Sequence, residues 1–404
     1  MAVAAVRAGD ELVVLPRRAC LHVLTRAAGP PAGSASGPAE AIALAGGEEA
    51  WAKLSTKARL ACALLHERGL GEASAFHAYV AQLPETFAMP ATWTEAERRQ
   101  LCYPPLERAA ARLEATWEAA CASVPGVPRE EMLWALQAVE SRAFSGQLTE
   151  GVTELAPRVA AGAGAALVAL DALHAGPLVR LAGLAACAAL GWYQLSEQAE
   201  PPTLNGMMPM VDAVNARSRQ GFRFRHRSSD DAFVVCAAED AEVGEEVFIS
   251  YGPLSNDALL LRYGYVESGN ACDVFEFESL LDAVRATRTE VIAPGLSDAQ
   301  YADLRARLVG AQLDTSGRLV GDDARRALEE ACGGRVGAAT ALAAAAAAAA
   351  NELRSADVAD GTGALAARRG LAAMFRAEKL RVLEAVCGEQ SPSSDGAPQK
   401  EGIL

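Results

Sequence analysis

A chain of 404 residues, 51% of them hydrophobic, is long enough for two or three domains and a large core. Its formal net charge of −14 excludes a protein that coats nucleic acid, which needs a basic stripe. Lys53, Lys57, Lys379 and Lys400 are the only lysines, and arginine supplies the rest of the 37 basic residues. With 35 glycines and abundant alanine, that balance reads as a GC-rich coding bias, so much of the alanine carries no message.

The nine cysteines (Cys20, Cys62, Cys102, Cys121, Cys187, Cys236, Cys272, Cys332 and Cys387) stand singly, with no Cys-x-Cys or Cys-x-x-Cys pair. That spacing argues against a zinc site or a disulfide framework and for buried free thiols in a reducing compartment. No charged-then-apolar signal peptide opens the chain, and Asp10 and Glu11 argue against a transit peptide. The expectation is an intracellular protein, cytoplasmic or in the chloroplast.

In chain order, residues 4–24 read as turn, strand, Pro, strand, and the Gly/Ala/Pro/Ser-rich residues 29–49 as a loop. From Trp51 to Phe144 the period is helical: Leu60, Ala63, Leu64 and Leu65 share one face, and Phe76, Tyr79, Val80 and Leu83 another. Thr94 followed by Glu97 is close to a capping box. His66 and His77 read as structural rather than metal-binding. Leu133, Leu136, Val139 and Phe144 make a further amphipathic helix that carries Ser141 and Arg142 near its end. Val159–Leu170 and Leu181–Tyr193 are apolar but broken by Asp171, His174 and Arg180. Neither run reaches the roughly 18 apolar residues of a membrane span. This stretch reads as a helical hairpin packed on the domain, or a mistranslated intron, rather than an anchor.

Pro209–Val266 changes period. A turn-like Asp212–Asn215 segment leads into short runs at Phe222–His226, Ala232–Ala237 and Glu246–Tyr251, which read as strands. Ser255–Tyr263 reads as a short helix capped by Ser255 and Asn256. Asp-x-x-Asn, then Gly-Glu-Glu-x-x-Ile-Ser-Tyr-Gly, then Ser-Asn-x-x-Leu-Leu-x-x-Tyr-Gly-Tyr resembles the C-terminal half of a SET domain. More narrowly it resembles the Rubisco large-subunit methyltransferase subfamily, which includes the related actin-histidine methyltransferase.

The resemblance implies an α+β fold. A SET domain of short β-sheets would fill residues 1–270, with a helical insert at about 51–144 and an atypical apolar insertion at about 146–206. An all-helical substrate-binding domain would follow at 271–390, where Ala343–Ala350 and the closing Arg-x-x-Glu-Lys-x-x-Leu pattern lie, then a disordered tail at 391–404. The Ala-Gly-Asp-Glu-Leu-Val-Val-Leu-Pro segment is similar to the family's opening hairpin. The Gly-x-Gly turn usual just upstream is not in this chain, so either the sequence is truncated or the cofactor pocket lacks one wall.

By the same resemblance the chain is an S-adenosylmethionine-dependent protein-lysine methyltransferase acting on a non-histone protein, a monomer with no nucleic-acid or membrane partner. Tyr251 would be catalytic. Arg142, Asp212, Asn215, Ala216, Tyr263, Gly264 and Tyr265 would hold the cofactor, and Ser141 and Tyr263 the substrate, with no metal. The match to Asp-x-x-Asn-His fails at its last position, where Ala216 replaces histidine. Two alternatives stay open: a histidine acceptor, and a non-catalytic SET-like module that grips a partner protein. Ala216, the missing turn and the long insertion favour the module; Arg142, Asn215, Tyr251 and Tyr263 favour the enzyme.

Overall fold

In a computed structural model that describes residues 4–25, 39–147, 203–218, 223–227, 229–287, 291–355 and 364–388, the chain turns after Pro16 as expected, but the two strands on either side do not pair into a hairpin. Strand β1 (Glu11–Pro16) passes through a 3-10 turn at Arg17–Ala19 into β2 (Leu21–Thr25). The two strands join different three-stranded sheets. β1 pairs antiparallel with β6 (Ala232–Cys236), which also pairs with β5 (Arg223–Arg227). β2 pairs with β4 (Thr203–Met207), which also pairs with β3 (Ala143–Gln147). Cys20, Leu204, Met208, Val211, Phe233 and Val235 close the core on these sheets. β6 is buried at all five positions, which fits its continuous apolar run.

The chain folds into two compact units that are not consecutive stretches. The first comprises residues 1–86, 117–216 and 220–249; the second comprises 87–116, 217–219 and 250–404. In the first, helices Thr56–Leu70 and Arg129–Arg142 pack on each other, and Leu60, Ala61 and Leu64 of one and Ala135, Leu136 and Val139 of the other are buried. Ser55 caps the former by accepting from the Ala58 N–H at 3.2 Å. Burial pushes the thiol of Cys62 up to about 11, which makes it a packing group rather than a nucleophile.

In the second unit, Thr94 and Glu97 form the expected capping box. Helices Leu280–Ala286, Asp298–Arg307, Asp322–Ala331, Arg335–Ser355 and Ala364–Gly388 follow. The expected all-helical character does not hold throughout: β7 (Phe275–Glu276) pairs with β8 (Gln312–Leu313). The buried side chains of Phe275 and Leu313 fix that short ladder in the core. Arg335–Ser355 is long and apolar enough to cross a membrane by composition. Its Ala338, Ala341, Ala345, Ala346 and Ala350 are buried and the helix packs against Ala364–Gly388, while 33% of its apolar window is buried.

Two further expectations are corrected. Glu246–Tyr251 is not a strand. Only Ile249 makes a bridge, parallel to Ala216, and among the described residues no partner strand runs beside this segment. Helix Asn256–Tyr263 forms, but the Ser255 side chain makes no cap bond. Asp273 takes that role, its Oδ1 accepting from the Asn256 N–H at 3.0 Å. The apolar insertion lies outside the described residues over 148–202, as do residues 29–38 of the expected loop and the tail at 391–404. The rest of that loop is corrected, since Ala39–Leu44 is a helix that buries Ala41 and Ile42 and a second helix starts at Glu48. Gln147 and Thr203, which flank the insertion, sit opposite each other in the β3–β4 ladder.

Candidate active site

Helix Arg129–Arg142 delivers the first candidate residues. Glu130 and Glu131 occupy its first turn, where the helix dipole favours negative charge. Its buried apolar face fixes its rotation, so the final residue, Arg142, has one direction to take. Arg142 is half-buried, and its Nη1 donates to the main-chain oxygen of Asp212 at 3.0 Å. The same nitrogen lies 3.9 Å from Asp212 Oδ2. Ser141 Oγ instead donates back into its own helix, to Gln137 O at 3.0 Å.

Asp212 sits in a 3-10 turn, Val211–Ala213, with its side chain buried. Tyr79 donates its phenolic O–H to Asp212 Oδ2. Oδ1 is buried with no hydrogen-bond partner. Burial raises the Asp212 carboxyl to about 6, against the opposing pull of the Tyr79 hydrogen bond and the Arg142 charge. Burial and that carboxylate also hold the Tyr79 phenol well above its ordinary value, so it stays a donor.

The sign of the stability effect follows by linkage. A carboxyl raised in the folded state binds more protons there than in the unfolded chain between about pH 4 and 6. Its contribution is therefore greatest below the unfolded value and is lost as pH rises through about 6. Ionised Asp212 costs about 2–3 kcal/mol at neutral pH. Asp212→Asn should raise stability above pH 6 and flatten its pH dependence, measured by urea unfolding at pH 5 and pH 7.5. A variant less stable than the parent at both values, with the parent's slope, would contradict this.

Asn215 is exposed, and its Nδ2 donates to Glu246 Oε1 at 2.6 Å. Its main-chain oxygen accepts from Ile249 N–H at 2.8 Å. Ala216 bridges Ile249 through its backbone, so the missing imidazole does not prevent this local pairing. Arg142 and Asp212 thus come together, and Asn215 and Ala216 are held by the 246–249 segment.

In the second unit the three tyrosines gather. The rings of Tyr251 and Tyr263 stack at 4.1 Å between centroids and 3° between planes. Tyr265 lies 6.5 Å from Tyr263, tilted by 58°. Burial first, then Tyr251, Glu267 and Tyr263, raise the Tyr265 phenol above its ordinary value. Gly264 terminates helix Asn256–Tyr263 with φ +73°. A Cβ there would lie 3.0 Å from the Ala88 carbonyl carbon and 3.3 Å from Met89 N. Local structure alone demands this glycine.

A cavity of about 660 Å³ in the second unit, bordered by Tyr103, Phe277 and Ala349, contains none of these residues. Sequence reasoning missed Tyr79 and Glu246 as site neighbours. Tyr79 was legible only as part of an apolar helix face, and nothing in its spacing points to Asp212. The glutamate pair 245–246 reads as turn chemistry.

No protein-family model and no curated protein matches the sequence. Solved structures do. The SET domain of LSMT bound to lysine and AdoHcy superposes with TM-score 0.53 at 14% identity, over 96% of this chain and 83% of that one. The same domain bound to methyllysine and AdoHcy gives 0.54 at 14% identity, with the same coverage. Rubisco LSMT bound to sinefungin and monomethyllysine gives 0.53, again at 14% and the same coverage. At such identity the likeness is one of fold: the chain has a SET-domain fold of mixed helix and short sheets.

Proposed function

We propose that this chain is an S-adenosylmethionine-dependent protein methyltransferase of the Rubisco large-subunit methyltransferase type, with lysine of a non-histone protein as acceptor. The observation that carries the reading is Arg142. A guanidinium at a helix end, half-buried and pinned through one nitrogen, keeps donors of its fixed fork for a carboxylate such as that of the cofactor's amino-acid end. When bound, the cofactor supplies an electrophilic methyl group on a sulfonium centre. The solved neighbours hold AdoHcy or sinefungin together with lysine or its methylated form, which favours lysine over histidine here.

The chain's own groups have separable tasks. Asn215 offers an amide to the ligand's amino-acid end, and Glu246 orients that amide. On the family resemblance, main-chain groups of Asp212–Ala216 are assigned to the adenosyl part, and Gly264 is assigned to the cofactor on that resemblance alone. On the same resemblance, Tyr263 and Tyr265 are assigned as aromatic faces for the ligand, and Ser141 and Tyr263 are each assigned to the acceptor side chain. Tyr251 aims the amine and receives the weak hydrogen bonds of a polarised methyl. Positioning and fixed dipoles then provide most of the rate. The helical segment from 271 to 390 grips the protein that carries the acceptor.

Calorimetric titration with S-adenosylhomocysteine tests the reading. The parent should bind, and Arg142→Ala should lose one charge-assisted contact, about 1.5–3 kcal/mol. Absence of binding by the parent would remove the enzyme assignment and leave a SET-like protein-binding module. Equal affinity of parent and variant would remove Arg142 from the site.

A further inference from the structure

We infer that Tyr79 is a positioning residue of the cofactor site, acting through Asp212 on Arg142. The functional half of this inference rests on the methyltransferase reading; the coupling of the three side chains does not. Tyr79 lies in the single-turn helix His77–Val80, far along the sequence from the motifs that flag the site. Its O–H nevertheless donates to Asp212 Oδ2, while Asp212 takes Arg142 on its main-chain oxygen at 3.0 Å.

Asp212 has few other holds. Its Oδ1 has no partner, and its side chain is 1% exposed, so solvent does not orient the carboxylate. The phenol is the side-chain hydrogen bond that fixes the carboxyl plane, beside one from Asp212's own backbone, and that plane sets where negative charge faces the guanidinium. The charged and titratable groups facing this carboxyl are Arg142 from the helix Arg129–Arg142, Tyr79 from its own short helix and, beyond the phenol, Cys20 between β1 and β2. The Cys20 thiol is pushed up to about 12 by burial and then by Asp231, so it contributes no charge near neutrality.

Remove the phenolic oxygen and Asp212 keeps its burial but loses the donor. It then holds its proton to higher pH, and the guanidinium loses its counter-charge as well as the fixed geometry. A carboxyl that is neutral at working pH leaves Arg142 only the main-chain oxygen of Asp212 to hold it.

Two readouts test this on the full chain. The first follows the Asp212 carboxyl by 13C NMR of aspartate-labelled protein, assigned with Asp212→Asn, in the parent and in Tyr79→Phe. The midpoint should lie near 6 in the parent and at least about one unit higher in the variant. An unchanged midpoint overturns the coupling. The second is a double-mutant cycle on S-adenosylhomocysteine affinity. Tyr79→Phe should weaken binding about tenfold in the parent and by less than about twofold in an Asp212→Ala background. An equal loss in both backgrounds overturns the route through Asp212 and makes Tyr79 a direct contact. A parent that binds no cofactor refutes the functional half, while the titration still decides the coupling. The phenyl ring is retained, so folding is kept; matching circular dichroism of parent and variant checks it.

Discussion

Tyr251→Phe should lower methyl transfer about a hundredfold or more while leaving cofactor affinity close to that of the parent. The ring of Tyr251 stacks face to face on Tyr263 at 4.1 Å, and phenylalanine keeps the ring, its volume and that stack. The substitution removes only an oxygen. If that oxygen acts mainly on the geometry of transfer, its loss falls on turnover and not on ground-state binding. The size expected is that of one well-placed polar group at a reacting centre. The assay is transfer of labelled methyl groups from S-adenosylmethionine into protein extract, with calorimetry on the same preparations. Undiminished labelling by the variant would show that Tyr251 is not catalytic.

Lys379→Met should be the most destabilising single change outside the site. Lys379 is wholly buried, and it spends all three N–H donors within the second unit: on Asp257, on Asp273 Oδ1 at 2.8 Å and on Val274 O at 2.6 Å. Its ammonium also lies 4.9 Å from the centroid of the Phe375 ring. Methionine matches the volume but leaves Asp273, itself fully buried, without its cation. Breaking such a pair from one side costs about 3–5 kcal/mol. Urea unfolding should show the loss, and adding Asp257→Asn and Asp273→Asn should recover much of it by removing the stranded charges. A single variant within about 1 kcal/mol of the parent would mean that the network is solvated.

Much of this was legible in the sequence, where local chemistry decides the outcome. The Thr94–Glu97 box, the two opening strands with their turn after Pro16, and β6 follow from capping, turn and period rules that need no distant partner. The stretch at 246–251 was misread because its alternation suits a strand, whereas pairing depends on a neighbour that the fold does not supply. The Ser255 cap failed for a related reason: Asp273, seventeen residues beyond Asn256, reaches the helix start first. At the site, residues within motifs were visible, since Asp212, Asn215 and Tyr251 stand in one recognisable block. Tyr79 and Glu246 were not, because their roles exist only across tertiary contacts. The membership of residues 87–116 in the second unit likewise has no local signal, since a helical period says nothing about which core receives its face.

That interleaving sets the limits of inheritance and engineering. Trp93, Leu101, Tyr103 and Leu106 are each at most 2% exposed, in a core otherwise built from residues beyond 250. A gene fragment ending at residue 250 would carry these four side chains without the core that buries them, each worth about 1.5–3 kcal/mol. The C-terminal half is consequently not an exchangeable cassette. Recombination that transplants one relative's C-terminal helices must bring its 87–116 excursion along, or it must adapt two distant stretches of the gene at once.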